Sequence, residues 1–389
     1  MALQITKETK ALFCISLAWF LVLAGRYSIS NLLPRIVSEL QVSWTDAGFA
    51  LTMMWLIYAI IQFPAGIYSD IKGRKITILI AMMIFSVSYL LVGLSIHYTM
   101  FFLALILLGV GTGGYPAVGI SMITDIFKEK RGRALGIRDS AGSIAYVVPL
   151  FAAVIAGLFN WRIFFFIWSG ICVASFVLFY FLTAESTKLP EKVVIKERVI
   201  DGIKIFKQED VQLMFIINLF IAVTWISYMS FFPAYLVSEK GFTEIQAAIA
   251  LGILGIVGFV FKPIIGLLSD LYNKKLLIIL LSTLAAVGTL LIVYTNSLQL
   301  ILLFCFLPAF ATAVFPVVSS FLMNQWPEKG RAGKLGFYRS NLILLASPSS
   351  AVIGILADRY TFDIPFIGIA LLLFIVVIIL SINILMAKK

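Results

Sequence analysis

The chain has 389 residues, of which 61% are hydrophobic and 13% charged, and its mean hydropathy is +1.06. A water-soluble domain of this length has no use for so much apolar surface, so the composition points to an integral membrane protein. The net charge of +11 would ordinarily invite a nucleic-acid partner, but the basic residues lie in loops between apolar stretches, and no nucleic acid is expected.

A bilayer core of about 30 Å needs about 20 apolar residues in a helix. Twelve stretches meet that requirement, at 10–33, 45–68, 76–96, 99–125, 134–157, 162–183, 211–237, 243–268, 276–295, 298–325, 332–357 and 362–386. The first is too long for a cleavable signal peptide and lacks a small-residue cleavage site. It carries Arg26 about 16 residues in, too deep to escape easily to either surface. Between the second and third stretches lies a short charged hairpin, Gly66 to Lys75 (GIYSDIKGRK). His97, the one histidine, sits at a loop end and supports neither a metal site nor a histidine proton relay. In the fourth stretch Gly109 to Gly114 matches the spacing of a dinucleotide fingerprint. No strand precedes it and its surroundings are apolar, so close helix packing is the expected reading. The fifth stretch holds Arg138 beside Asp139. A charged linker, 185–210, separates a first half, 1–184, from a second, 211–389. Cys14, Cys172 and Cys305 all fall inside spans, so disulfides and metal ligation are not expected. No cofactor is implied.

The second half repeats the first at an offset of 200. Gly266 to Lys275 (GLLSDLYNKK) answers the first hairpin, with Asp270 opposite Asp70. Ala47 and Ala247, Pro116 and Pro316, Gly136 and Gly336, and Ser140 and Ser340 pair in the same way. Two six-helix halves running in the same direction are the build of secondary transporters. The fold class is therefore an all-α membrane protein of twelve transmembrane helices in two parallel repeats.

Of the 30 basic residues, 22 fall in segments on the side of the N-terminus and four, Arg35, Arg162, Lys240 and Arg359, on the other. The positive-inside rule then puts both termini in the cytoplasm of a cell membrane. Four cations remain inside spans: Arg26, Arg138, Lys262 and Arg339. Only one acid, Asp139, lies well within a span. Ionisable groups there are costly and face a cavity or a partner. The surplus of positive charge is what an anionic substrate would neutralise. Snorkelling along the long side chains is the alternative, and Lys262, about 12 Å of helical rise from Asp270, could manage it. Tyr27, Tyr146, Trp225 and Tyr228 stand near the interior charges as candidate cavity-lining residues. A membrane enzyme would need paired acids, a nucleophile with a base, or metal ligands within the bilayer. This chain has none of those sets.

In these features the chain resembles the major facilitator superfamily along its whole length. Gly66–Lys75 is similar to the family's loop signature, departing at its third and sixth positions. The copy at Gly266–Lys275 is weaker because Asn273 replaces a glycine. Gly109–Gly114 with Pro116, followed by Arg131 to Gly136, resembles the fourth span and its loop. Proton-driven drug antiporters carry an arginine where this chain has Leu105, and Gly-Pro where it has Val148 and Pro149. Both departures count against a drug efflux pump; proton-coupled efflux of drugs or other small solutes by the same fold stays the alternative. Arg26 to Pro34 resembles the first span of organic-anion symporters, with Gly25 where an aspartate often stands. Lys262–Gly266 is similar to the Arg-Pro-x-x-Gly of monocarboxylate carriers.

The resemblance implies a monomeric carrier working by alternating access, with a small organic anion, a carboxylate, held by Arg26 and Lys262 with Arg339 assisting. A proton is the candidate coupling ion. It implies gating by the hairpin, with Asp70 near the start of the eleventh helix and Arg74 near Asp125. Asp139 and Arg339, equivalent at the 200 offset, are expected to pair when one side closes. A local pair of Asp139 with Arg138 or Arg133 at the interface is the competing expectation.

Overall fold

The computed structural model describes residues 6–128, 131–185, 200, 202–326 and 331–386. Among these, twelve helical spans are long and apolar enough to cross a membrane. Spans 1 to 6 are Lys7–Leu40, Trp44–Lys72, Arg74–Leu94, Tyr98–Ile126, Arg131–Leu158 and Trp161–Leu182. Spans 7 to 12 are Glu209–Ser238, Glu244–Ser269, Lys274–Val293, Leu298–Leu322, Lys334–Arg359 and Asp363–Met386. The protein is thus a multi-pass membrane protein, and its helices follow the apolar stretches of the sequence.

The chain divides into two compact units, Met1–Val42 with Ala50–Ile195, and Ser43–Phe49 with Lys196–Lys389. In the first unit span 1 packs on spans 5 and 6, and span 3 on spans 4 and 6. The second repeats that plan, with span 7 on span 11 and span 9 on spans 10 and 12. Residues Ser43–Phe49, which open span 2, group with the second unit. There Asp358 accepts hydrogen bonds from the Trp44 and Thr45 amides at 3.1 and 2.7 Å, satisfying donors that a helix start leaves open.

Helix ends follow local chemistry. Span 1 starts where the Thr6 hydroxyl accepts from the Thr9 amide, and it stops at Gln41, whose φ of 51° is left-handed. Thr243 and Gln246 cap the start of span 8 reciprocally. The two charged hairpins are built differently. Gly73 has φ 107°, and the Glu185 carboxylate accepts from the Arg74 amide at 2.6 Å, on ground a side chain at 73 would occupy. Asn273 instead has φ −61° and caps span 9 with its own amide oxygen, so the substitution at that position needs no left-handed residue.

The repeat also breaks symmetry at its prolines. Pro116 restarts span 4 after an interruption at Gly114 and Tyr115, a position where a missing amide hydrogen costs little. Its counterpart Pro316 lies within a continuous helix, Ala311–Gln325, and span 10 is interrupted earlier, with a tight turn at Pro308–Phe310. Sequence equivalence therefore does not carry over to the kink.

The glycines of span 4 pack helices. A β-carbon on Gly109 or Gly113 would come within 2.6 Å of the Met54 or Tyr58 carbonyl oxygen of span 2, and one on Gly111 within 2.5 Å of the Phe85 nitrogen of span 3. Span 4 is wedged between two neighbours by residues with no side chain. Gly113→Leu should therefore lower the detergent-solubilised melting temperature by several degrees, consistent with an overpacking cost of about 1–3 kcal/mol. Gly136→Ala, where nothing lies within 4 Å, should leave it unchanged.

Candidate functional site

The side chain of Arg26 is the most demanding feature of the first unit. It is 4% exposed, and none of its three guanidinium nitrogens has a hydrogen-bond partner among the described residues. Its guanidinium lies 4.2 Å from the Trp55 ring centre and 4.7 Å from that of Tyr58. These two aromatics share one face of span 2, three residues apart. A desolvated cation–π contact contributes about 2 kcal/mol. Taking a charge out of water costs several kcal/mol even after the protein relaxes. The rings orient the guanidinium without offsetting its burial, which leaves it suited to an anion that brings acceptors. Gln62, one turn beyond Tyr58 on the same face, also has a buried amide nitrogen without a hydrogen-bond partner among the described residues.

The neighbourhood of Arg26 explains a departure seen in the sequence. A β-carbon on Gly25 would overlap the ring and hydroxyl of Tyr89, whose hydroxyl donates to the Val22 carbonyl at 3.3 Å. There is no room beside Arg26 for an aspartate, so the cation keeps no acid next to it in the chain. Tyr27 and Tyr146 meet each other, with ring centres 4.3 Å apart, and join span 1 to span 5.

Arg138 is equally buried, at 3% exposure. Its guanidinium lies 4.2 Å from the Trp19 ring centre and 5.6 Å from that of Tyr115, two rings that stack on one another. The Tyr115 hydroxyl donates to the Ile15 carbonyl, anchoring the ring on span 1. Nη1 of Arg138 donates to Asp139 at 2.9 Å, while Nε and Nη2 have no partner among the described residues. The Asp139 side chain is 68% exposed.

In the second unit, Lys262 runs back along span 8 so that its Nζ lies 3.6 Å from the β-carbon position of Gly258, with the Thr312 hydroxyl 3.4 Å from the same point. Helical side chains lean towards the N-terminus. For Lys262 that lean leads away from the charged end at Asp270, not towards it. Phe315 of span 10 meets Trp225 edge-on at 6.3 Å, and Ser319 accepts from Arg339 at 3.2 Å. Thr312, Phe315 and Ser319 form one face of span 10, which therefore links Lys262, Trp225 and Arg339 over about 10 Å. The Tyr228 hydroxyl is bonded to Thr289 at 2.8 Å and its ring packs on Phe232 and Phe366.

At the first hairpin Arg74 pairs with Asp70 and reaches Asp125, at the end of span 4, at 3.3 Å. It also donates to Ser69 at 2.6 Å. Lys75 donates to the Tyr180 and Thr183 carbonyls at 2.7 and 2.6 Å, closing the end of span 6. The side chain of Asp270 and most of the linker lie outside the described residues.

Two overlapping stretches, residues 15–261 and 214–386, match the family model of the Major Facilitator Superfamily. The chain belongs to that superfamily. It is a transporter and not an enzyme. Curated relatives include a hexuronate transporter of Bacillus subtilis, 28% identical over 66% of this chain and 64% of its own length. The chain thus spans a little under two thirds of that relative. A multidrug resistance protein of the same organism is 27% identical over 82% of each chain. Among solved structures, a bacterial homologue of the human lysosomal transporter Spinster superposes with a TM-score of 0.81 at 15% identity, covering 96% of both chains. That likeness speaks for the fold alone.

Sequence reasoning does not single out Trp19, Trp55, Tyr58 or Tyr115, the four rings that hold the superfamily transporter's buried arginines. Their signal was an aromatic three residues from another in span 2, and one seven residues before Arg26 in span 1. Either is common in apolar helices, and only helix pairing gives it meaning.

Two outcomes follow from this geometry. Gly25→Asp should reduce folded yield sharply, and Tyr89→Ala in the same chain should restore it, read by size-exclusion profile and melting temperature. Asp70→Asn should reduce turnover in proteoliposomes by about tenfold while changing the substrate Kd less than threefold, because the hairpin charge pairs lie apart from Arg26 and one charge-assisted hydrogen bond is worth about 1.5–3 kcal/mol.

Proposed function

We propose that this transporter moves a small organic anion, a carboxylate, by alternating access of its two six-span halves, 1–184 and 211–389. The observation that carries this reading is Arg26, 4% exposed, laid on Trp55 and Tyr58, with three donor nitrogens and no hydrogen-bond acceptor among the described residues. A planar guanidinium presents a fork that a carboxylate fills with two parallel hydrogen bonds. Buried in low dielectric, that pair is stronger than in water. Lys262 and Arg339, joined along one face of span 10, supply the cations of the second half. The hexuronate relative carries an anionic cargo by its name and agrees with this assignment. The bias of basic residues towards one side supports a cell-membrane orientation with both termini on the cytoplasmic side.

The multidrug relative supports a second reading, proton-coupled efflux of drugs. A cationic or neutral drug would leave Arg26 without its counter-charge, so the anion reading accounts for more of what is buried. The two are separated by thermal stabilisation of the detergent-purified protein, because a ligand that binds the folded state raises its melting temperature. Hexuronates, aldonates and monocarboxylates are expected to stabilise it, and lipophilic cations to leave it unmoved. Arg26→Gln should cost the best anion about 30-fold or more in affinity without lowering the melting temperature of the unliganded protein. Stabilisation by lipophilic cations alone, unaffected by Arg26→Gln, would establish the efflux reading instead.

A further inference from the structure

Arg138 repeats the construction found at Arg26. Each guanidinium lies 4.2 Å from a tryptophan ring centre, with a tyrosine as second ring. Each is at least 96% buried. Trp19, which carries Arg138, and Arg26 itself lie seven residues apart on span 1, so they share a face and are separated by about 10 Å along the axis. Arg138 is the one nearer the end of the bundle that carries the N-terminus and the Gly66–Lys75 hairpin.

We propose that Arg138 is a second carboxylate-holding station, through which the cargo passes between Arg26 and that end of the bundle. The proposal rests on the reading of Arg26 as an anion site. A guanidinium has more than one edge with which to bind. Asp139 occupies Nη1 alone, and the Nε–Nη2 edge, buried and without a hydrogen-bond acceptor among the described residues, is a fork of the geometry a carboxylate takes. Trp19 meets the guanidinium as a ring, and Tyr115 presents both its ring and its hydroxyl to it.

Arg138 and Asp139 are consecutive residues of one helix, so their pair joins no two helices. Here the acid is 68% exposed and touches the guanidinium with one oxygen. Asp139 therefore tempers the station: its charge repels an arriving carboxylate, so the cargo binds more weakly and leaves more readily. Conduction through successive sites requires that none of them hold too tightly. The same principle governs multi-site channels.

The consequence is a gain of binding on removing an acid, which a structural pair would not give. D-glucuronate, D-gluconate, L-lactate and citrate are titrated calorimetrically into the full-length protein in detergent. The tightest binder is carried into proteoliposome uptake. Asp139→Asn and Asp139→Ser should each tighten its Kd about tenfold, the effect of deleting one nearby like charge, and should lower KM and kcat together. Arg138→Gln placed in the Asp139→Asn chain should cancel the gain. Arg138→Lys in that background should do the same, since lysine keeps the charge and loses the fork. If both Asp139 variants fold with wild-type melting temperatures and bind no more tightly, the station is refuted while the Arg26 reading stands. If Arg26→Gln leaves wild-type binding intact, or the wild type binds none of the four probes, the Arg26 reading fails and the station falls with it.

Discussion

Everything distinctive in the first unit is arranged around a cation that the bilayer ought to reject. Arg26 is held near the middle of a helix of 34 residues, with two rings against its guanidinium and no acid bonded to it among the described residues. The rings fix its plane and contribute a modest share of what desolvation costs. Tyr89 occupies the ground beside Gly25 where an aspartate would neutralise it. Span 2 supplies the rings, and span 2 is in turn held by the small residues of span 4, since Gly113 sits against the carbonyl of Tyr58 itself. The glycine run that looks like a nucleotide motif is thus part of how the arginine is positioned. Packing and electrostatics form one chain of cause here, from Gly113 to Tyr58 to Arg26.

A similar economy holds at the hairpin. Gly73, Glu185, Arg74 and Lys75 tie four helix ends together at one short turn: the Glu185 carboxylate takes the open amides of span 3, Lys75 takes the last carbonyls of span 6, and Arg74 ties Asp70 of span 2 to Asp125 of span 4. Charges at helix termini are favourable where amides and carbonyls are otherwise unsatisfied. The Gly266–Lys275 hairpin reaches its turn by another route, through Asn273. Duplication has preserved the position of the turn and changed the interaction that makes it.

The repeat is therefore a guide to topology and a poor guide to detail. Spans 3 and 6 pair as do 9 and 12, and 1 and 5 pair as do 7 and 11, which is what two copies of one half require. Pro116 and Pro316 nevertheless do different things. Arg138, buried on Trp19, and Arg339, exposed and bonded to Ser319, are only a residue apart in register yet sit in unlike surroundings. Divergence of this kind is expected where one half bears a charge the other does not need.

The sequence by itself determined the number of spans, the duplication and the surplus of interior cations. Those follow from apolar length, from the 200-residue offset and from where lysine and arginine fall, each a property of composition along the chain. It also marked Arg26, because no helix end lies within reach of a residue so deep. The tertiary structure alone decided that Arg26 and Arg138 rest on tryptophans, that Gly25 excludes an acid, that Lys262 leans away from the charged end of its helix and that Asp139 engages Arg138. Each depends on which faces of different helices meet. An apolar helix offers many faces of nearly equal hydrophobicity, so periodicity does not choose among them, and only packing does.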